Sequence, residues 1–79
     1  MQDLPSDESW ITDQRRAIGE RIREERLRQN RTQDEVWTAA GVNRWTYQRA
    51  EYGEEVQVST LLRILWVLDI TFTLPLTRK

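Results

Sequence analysis

Arg44, Trp45, Gln48 and Arg49 fall within six consecutive residues of a chain that has no cysteine and no histidine. An arginine guanidinium presents a planar fork of N–H donors that fits O6 and N7 of guanine. A glutamine amide can pair with adenine, and each such contact is worth about 1 to 3 kcal/mol of discrimination between bases. Tryptophan has one donor and a broad apolar face, better suited to a thymine methyl or a sugar. The four residues sit in TQDEVWTAAGVNRWTYQRAEYG, Thr32 to Gly53, which reads as two short helices bent around a glycine. That is the layout of a helix-turn-helix, whose second helix enters the major groove of DNA.

Local signals place the elements that must hold these side chains. Thr32 and, three residues on, Glu35 form a capping-box pair, and Asp34 and Glu35 suit the positive end of a helix. Gly41 can take the positive φ of a tight turn, Asn43 can cap a helix from Arg44 to about Tyr52, and Gly53 ends it. Upstream, Ser9 or Thr12 is expected to cap a helix running to about Gln29, with Ile11, Ile18 and Ile22 on one face and Asn30 as its stop. The arginines of that helix (15, 16, 21, 23, 26 and 28) alternate with Glu20, Glu24 and Glu25, which predicts i,i+4 pairs such as Glu24 with Arg28 on a solvated face.

Downstream, Val58, Leu61, Leu62, Leu65 and Leu68 form one helical stripe, with Ile64, Trp66 and Val67 outside it. A helix apolar nearly all round needs cover on a second side. Ile70, Phe72, Leu74 and Leu76 then alternate with polar residues or proline, a strand pattern. A lone strand leaves its backbone groups unpaired, so pairing with a second copy is expected, with Trp66, Ile70, Phe72 and Leu74 at a homodimer interface. The divisions predicted are an acidic, mobile leader (1–10), a helix-turn-helix domain (11–69) and a dimerising strand and tail (70–79).

Composition narrows the function. The chain has 79 residues, enough for one small domain of marginal core size, for which a partner chain is a plausible support. Without cysteine or histidine there are no disulfides, no thiolate or imidazole zinc sites and no usual nucleophile and base pairs, so no enzyme, metal or cofactor is expected. The first residues lack a secretion signal and the longest apolar run is far short of a membrane span, which points to the cytoplasm and away from membranes. The net charge is −1, unusual for a binder of phosphate backbone. Four of the 13 acidic residues lie before Arg15, however, leaving nine against all 12 basic residues in the remainder, a mildly basic body whose charge doubles in a dimer.

The stretch from Ile18 to Ile70, with its ordered elements IGERIREER, TQDEV, AGVNR and AEYG, resembles the lambda repressor/Cro-like, or XRE, family. The resemblance implies a mainly α fold, a compact bundle of four or five helices, that binds double-stranded operator DNA as a two-fold dimer. By the same resemblance Arg44, Trp45, Gln48 and Arg49 stand at base-reading positions. Gln33, Asn43 and Thr46 stand at phosphate-contacting ones, and Arg26 and Glu51 match a buried, structural ion pair. Four departures stand out. Trp37 replaces a small residue, Ala50 a bulky one, Glu25 and Arg31 apolar ones, and Glu54-Glu55 fills a loop that in relatives often grips phosphate, where carboxylates would repel it. The ending LLRILWVLDITFTLPL is similar to the helix-then-strand ending of HipB-type antitoxins.

These readings converge on a sequence-specific transcriptional regulator, a repressor that binds a palindromic operator as a homodimer. Two rivals carry over. One is an antitoxin that also binds a toxin protein and represses its own operon; the other is an interaction adaptor that has lost DNA binding, which the acidic balance would suit.

Overall fold

Apolar residues recurring every three or four positions, broken by Asn and Gly, resolve into four helices in the computed structural model, which describes residues 2–71. They are α1 (Ser9–Arg28), α2 (Gln33–Ala40), α3 (Arg44–Glu51) and α4 (Val58–Val67). Among the described residues there is no strand. Of the expected strand, Ile70 and Thr71 lie in irregular backbone, while Phe72, Leu74 and the rest of 72–79 lie outside the described residues.

All four helices stop in the same way. Just beyond each one a residue takes a positive φ: Asn30 (57°), Gly41 (70°), Gly53 (81°) and Asp69 (58°). The N–H groups there turn back onto the last turn, as when Asn30 donates to the Leu27 carbonyl and Arg31 to that of Arg26, or Asp69 to Trp66 and Ile70 to Leu65. These paired bonds are the Schellman arrangement, which satisfies carbonyls the helix itself leaves orphaned.

The helix starts follow the sequence less uniformly. α2 has its capping box, with Glu35 N donating to Thr32 Oγ1 at 3.0 Å and Thr32 N to Glu35 Oε1 at 2.8 Å. Asn43 caps α3, its Oδ1 accepting from Thr46 N at 2.8 Å. α1 is not capped by Ser9 or Thr12. Glu8 occupies the cap position without a capping bond, and Asp7 accepts from the Ser9 amide at 3.0 Å. The helix therefore includes Ser9 and Trp10, two residues that the sequence assigned to the leader.

Ile22, Val36, Ala40, Tyr47, Ala50, Ile64, Leu65 and Leu68 make the core. α1 packs on α3, and α2 packs on both α3 and α4. The α1–α3 approach is close because Gly19 faces it: a Cβ there would stand 2.5 Å from the Glu51 carbonyl oxygen and 2.7 Å from that of Ala50. α4 is rotated relative to the expected stripe. Ile64 is fully buried and Val67 half-buried, whereas Val58 and Leu62 are exposed. The packed face runs through Leu61, Ile64, Leu65 and Leu68, because α2 approaches α4 from that side.

Two polar departures in the sequence serve this packing. Gln29 Nε2 donates to the Leu68 carbonyl at 2.8 Å and Arg31 Nη1 to that of Val67 at 3.0 Å, so the α1–α2 link ties down the carbonyl end of α4. Glu25 is buried beneath Arg21, Arg28 and Gln29, all three of which donate to its carboxylate. Arg28 thus pairs with Glu25, not with Glu24 as the i,i+4 spacing predicts. Trp37, the oversized residue of α2, lies half-buried with its ring centroid 6.2 Å from that of Tyr47, the planes tilted by 56°.

Candidate nucleic-acid interface

The side chains that point out of α3 are placed by those that point in. Tyr47 is fully buried, and its hydroxyl donates to Glu51 Oε2 one turn later. The same carboxylate receives Arg26 Nε at 2.7 Å on Oε2, Arg26 Nη2 at 3.4 Å and Gln33 Nε2 at 3.1 Å on Oε1. Arg26 Nη1 adds a bond to the Arg31 carbonyl at 3.0 Å. The resemblance's ion pair is therefore present, and its carboxylate is a hub that joins α1, α2 and α3. Burial pushes the Glu51 carboxyl up, but the hydrogen bonds from Arg26, Tyr47 and Gln33 together bring it below the usual carboxylate range. Burial, and then the bond to Glu51, push the Tyr47 hydroxyl up, so it stays protonated as a donor.

From this base the four expected base-reading residues emerge in two ways. Arg44 and Trp45 are exposed on the first turn of α3, Trp45 to 73%, and neither side chain has a hydrogen-bond partner among the described residues. Together with Asn43 and Gln48 they line one open surface recess. Gln48 is half-buried, and its Nε2 donates to Gln33 Oε1 at 3.4 Å. Arg49 is exposed, with Nε donating to Glu54 Oε1 at 3.2 Å and Nη2 to the Glu55 carbonyl at 2.9 Å.

The expected phosphate contacts also carry internal duties. Gln33 links the Glu51 hub to Gln48, and it keeps one of its two N–H groups for another acceptor. Asn43 uses its oxygen as the α3 cap, which leaves the amide N–H groups of this exposed side chain available as donors. Thr46 is half-buried beside Arg49, Glu55 and Gln57.

The sequence reading missed three relations at the site. Tyr47 and Glu51 are four apart on one helix, so their bond was available to the i,i+4 rule. The Gln33–Gln48 bond crosses between helices and leaves no local signal. The Arg49–Glu54 pair spans the left-handed turn at Gly53, where helical spacing no longer applies.

None of the described helices is long and apolar enough to cross a membrane. Neither a curated protein nor a solved structure matches the chain significantly. A family model of helix-turn-helix domains does match, over residues 22–74, well more than half the chain. With its capped α2, the Gly41 turn and the exposed α3 in place, the chain belongs to the helix-turn-helix family of the XRE type, the DNA-binding domains of transcription regulators.

Proposed function

We propose that this chain is a repressor that recognises a palindromic operator as a homodimer. Arg44, Trp45, Gln48 and Arg49 read base edges, and Gln33, Asn43 and Thr46 hold the phosphates on either side. The observation that carries this reading is the contrast across α3. Its inward face is locked to the core through Tyr47 and the Glu51 hub, while Arg44 and Trp45, on its N-terminal turn, stand in solvent with no hydrogen-bond partner among the described residues. A large aromatic and a cation left open at the start of a buttressed helix suit a groove, where the arginine fork meets guanine and the indole meets a thymine methyl.

The exposed side of α4 favours the second copy. Val58, Leu62 and Trp66, spaced by four, form an apolar stripe on which Trp66 is 85% exposed, a poor surface for a solitary chain. To read a palindrome, the two-fold dimer must present its two α3 helices to successive major grooves, about 34 Å apart. Occupying promoter DNA then excludes polymerase, which is repression.

The test is selection of bound sites from random DNA, followed by binding of the selected site at several salt concentrations. A two-fold consensus is expected, with binding lost in Arg44→Ala/Arg49→Ala while circular dichroism shows the fold intact. Unaltered binding by that variant would exclude α3 as the reading helix, and a protein that retains no site would favour the adaptor.

A further inference from the structure

Glu54 stands where a carboxylate ought to be a handicap, because the loop after α3 faces the same side as Arg49. Its surroundings show a more particular arrangement. The Glu54 amide donates to the Arg49 carbonyl at 2.9 Å in the bond that closes α3, and the Gly53 carbonyl before it accepts from Arg15 Nε of α1 at 3.1 Å. The loop backbone is thus pinned both to α3 and to α1. From there the Glu54 carboxylate takes Arg49 Nε at 3.2 Å and the Glu55 carbonyl takes Nη2 at 2.9 Å.

Those two donors lie on one edge of the guanidinium. The opposite pairing, Nη1 with the second Nη2 hydrogen, forms the end-on fork, and Nη1 has no partner among the described residues. We propose that Glu54, with the Glu55 carbonyl, is a positioning group that holds Arg49 by its inner edge and aims the end-on fork at a base. An arginine swings on four rotatable bonds, and ordering it at the moment of binding costs rotamer freedom. A guanidinium already fixed on one edge loses less of that freedom and keeps the planar geometry that distinguishes guanine from the other bases. This role rests on the base-reading function proposed above for α3.

The experiment measures wild type, Glu54→Gln and Glu54→Ala, each also with Arg49→Ala, against the selected site, against that site with each base pair changed, and against random-sequence duplex. Glu54 is exposed, so these variants fold. Weaker binding to the selected site is expected, by up to about fivefold for Glu54→Ala as for loss of an exposed ion pair. Glu54→Gln, whose amide oxygen still accepts, should fall between. The loss of discrimination should be confined to one base pair per half-site, affinity for random duplex should stay unchanged, and the effect should vanish when Arg49 is alanine. Tighter binding to every duplex would show that the carboxylate merely repels phosphate, and would overturn the proposal. So would an unchanged affinity, or an effect that persists without Arg49. A wild-type chain that selects no sequence overturns the base-reading function itself, and with it this role for Glu54.

Discussion

Replacing Arg26 by methionine tests the hub beneath α3 most directly. The Arg26 and Glu51 side chains are only 10% and 4% exposed, with Nε 2.7 Å from Oε2. Methionine keeps much of the apolar stem but leaves the carboxylate with two neutral donors, the Tyr47 hydroxyl and the Gln33 amide. Removing one partner of a buried pair costs about 3 to 5 kcal/mol, and the donors that stay argue for the lower end. For a domain of this size about 3 kcal/mol lowers the melting temperature at pH 7 by roughly 12 to 24 °C.

The pH dependence carries the sharper test. In the native protein the folded Glu51 carboxyl lies below its ordinary value, so its contribution is complete above that value and is lost as pH falls through the lowered one. Without Arg26, burial prevails and the folded carboxyl rises above its ordinary value. The folded variant then holds the proton more tightly than the unfolded chain, so its penalty is full at pH 7 and shrinks as the carboxyl protonates. Thermal and urea unfolding followed by circular dichroism from pH 7 to pH 4 should show the gap between native protein and variant narrowing. A gap that does not change with pH, or one below about 1 kcal/mol at pH 7, would refute the role given to the hub.

The other expectations are briefer. Glu25 is held down to about 2 by hydrogen bonds from Arg28, Gln29 and Arg21, so Glu25→Gln should flatten the loss of stability on acidification between pH 4.5 and about 2. Gly19→Ala forces a methyl against two backbone carbonyls and should destabilise by about 1 to 3 kcal/mol in urea unfolding, with α1 moving away from α3. Thr32→Ala removes one half of the capping box and should cost about 1 kcal/mol by the same measurement. Trp66→Glu places a charge on the exposed stripe of α4 and should yield monomers in sedimentation without loss of helix; a variant that still dimerises would move the interface elsewhere.

What could be read from the residues was what is local in the chain. Thr32 with Glu35, and Asn43 with its amide three residues on, have their effect within one turn, and Asn30, Gly41 and Gly53 mark helix ends because left-handed backbone favours those residue types. Asp69 has the same conformation, but it was hidden at the junction with an apparent strand. The phase of α4 was not legible for a physical reason: a helix apolar on most sides has no periodicity to orient it, and only the approach of α2 selects Ile64 over Leu62. The partners of Glu25 and Arg31 depended likewise on folding. Arg31 reads as a charge in an apolar slot until the end of α4 supplies a carbonyl for it.

The division among the α3 side chains then follows from how a marginal domain can present a recognition surface. Gln48 is held through Gln33 to the hub, and Arg49 through Glu54 to the pinned loop, so both have partners within the protein before DNA arrives. Side chains held this way lose little freedom on meeting DNA but tolerate little change in what they meet. Arg44 and Trp45 have no such tether among the described residues, and the duplex must order them at a cost that only a well-matched contact repays. In the proposed reading, the second turn of α3 therefore sets register and the first turn supplies the adjustable contacts. Disturbing Arg26 or Gln33 should accordingly blur selectivity at the positions read by Gln48 before it affects those read by Arg44, a difference that site selection with Gln33→Ala would expose. Equal loss at all positions would mean that α3 responds as one rigid body and that the internal tethers serve stability alone.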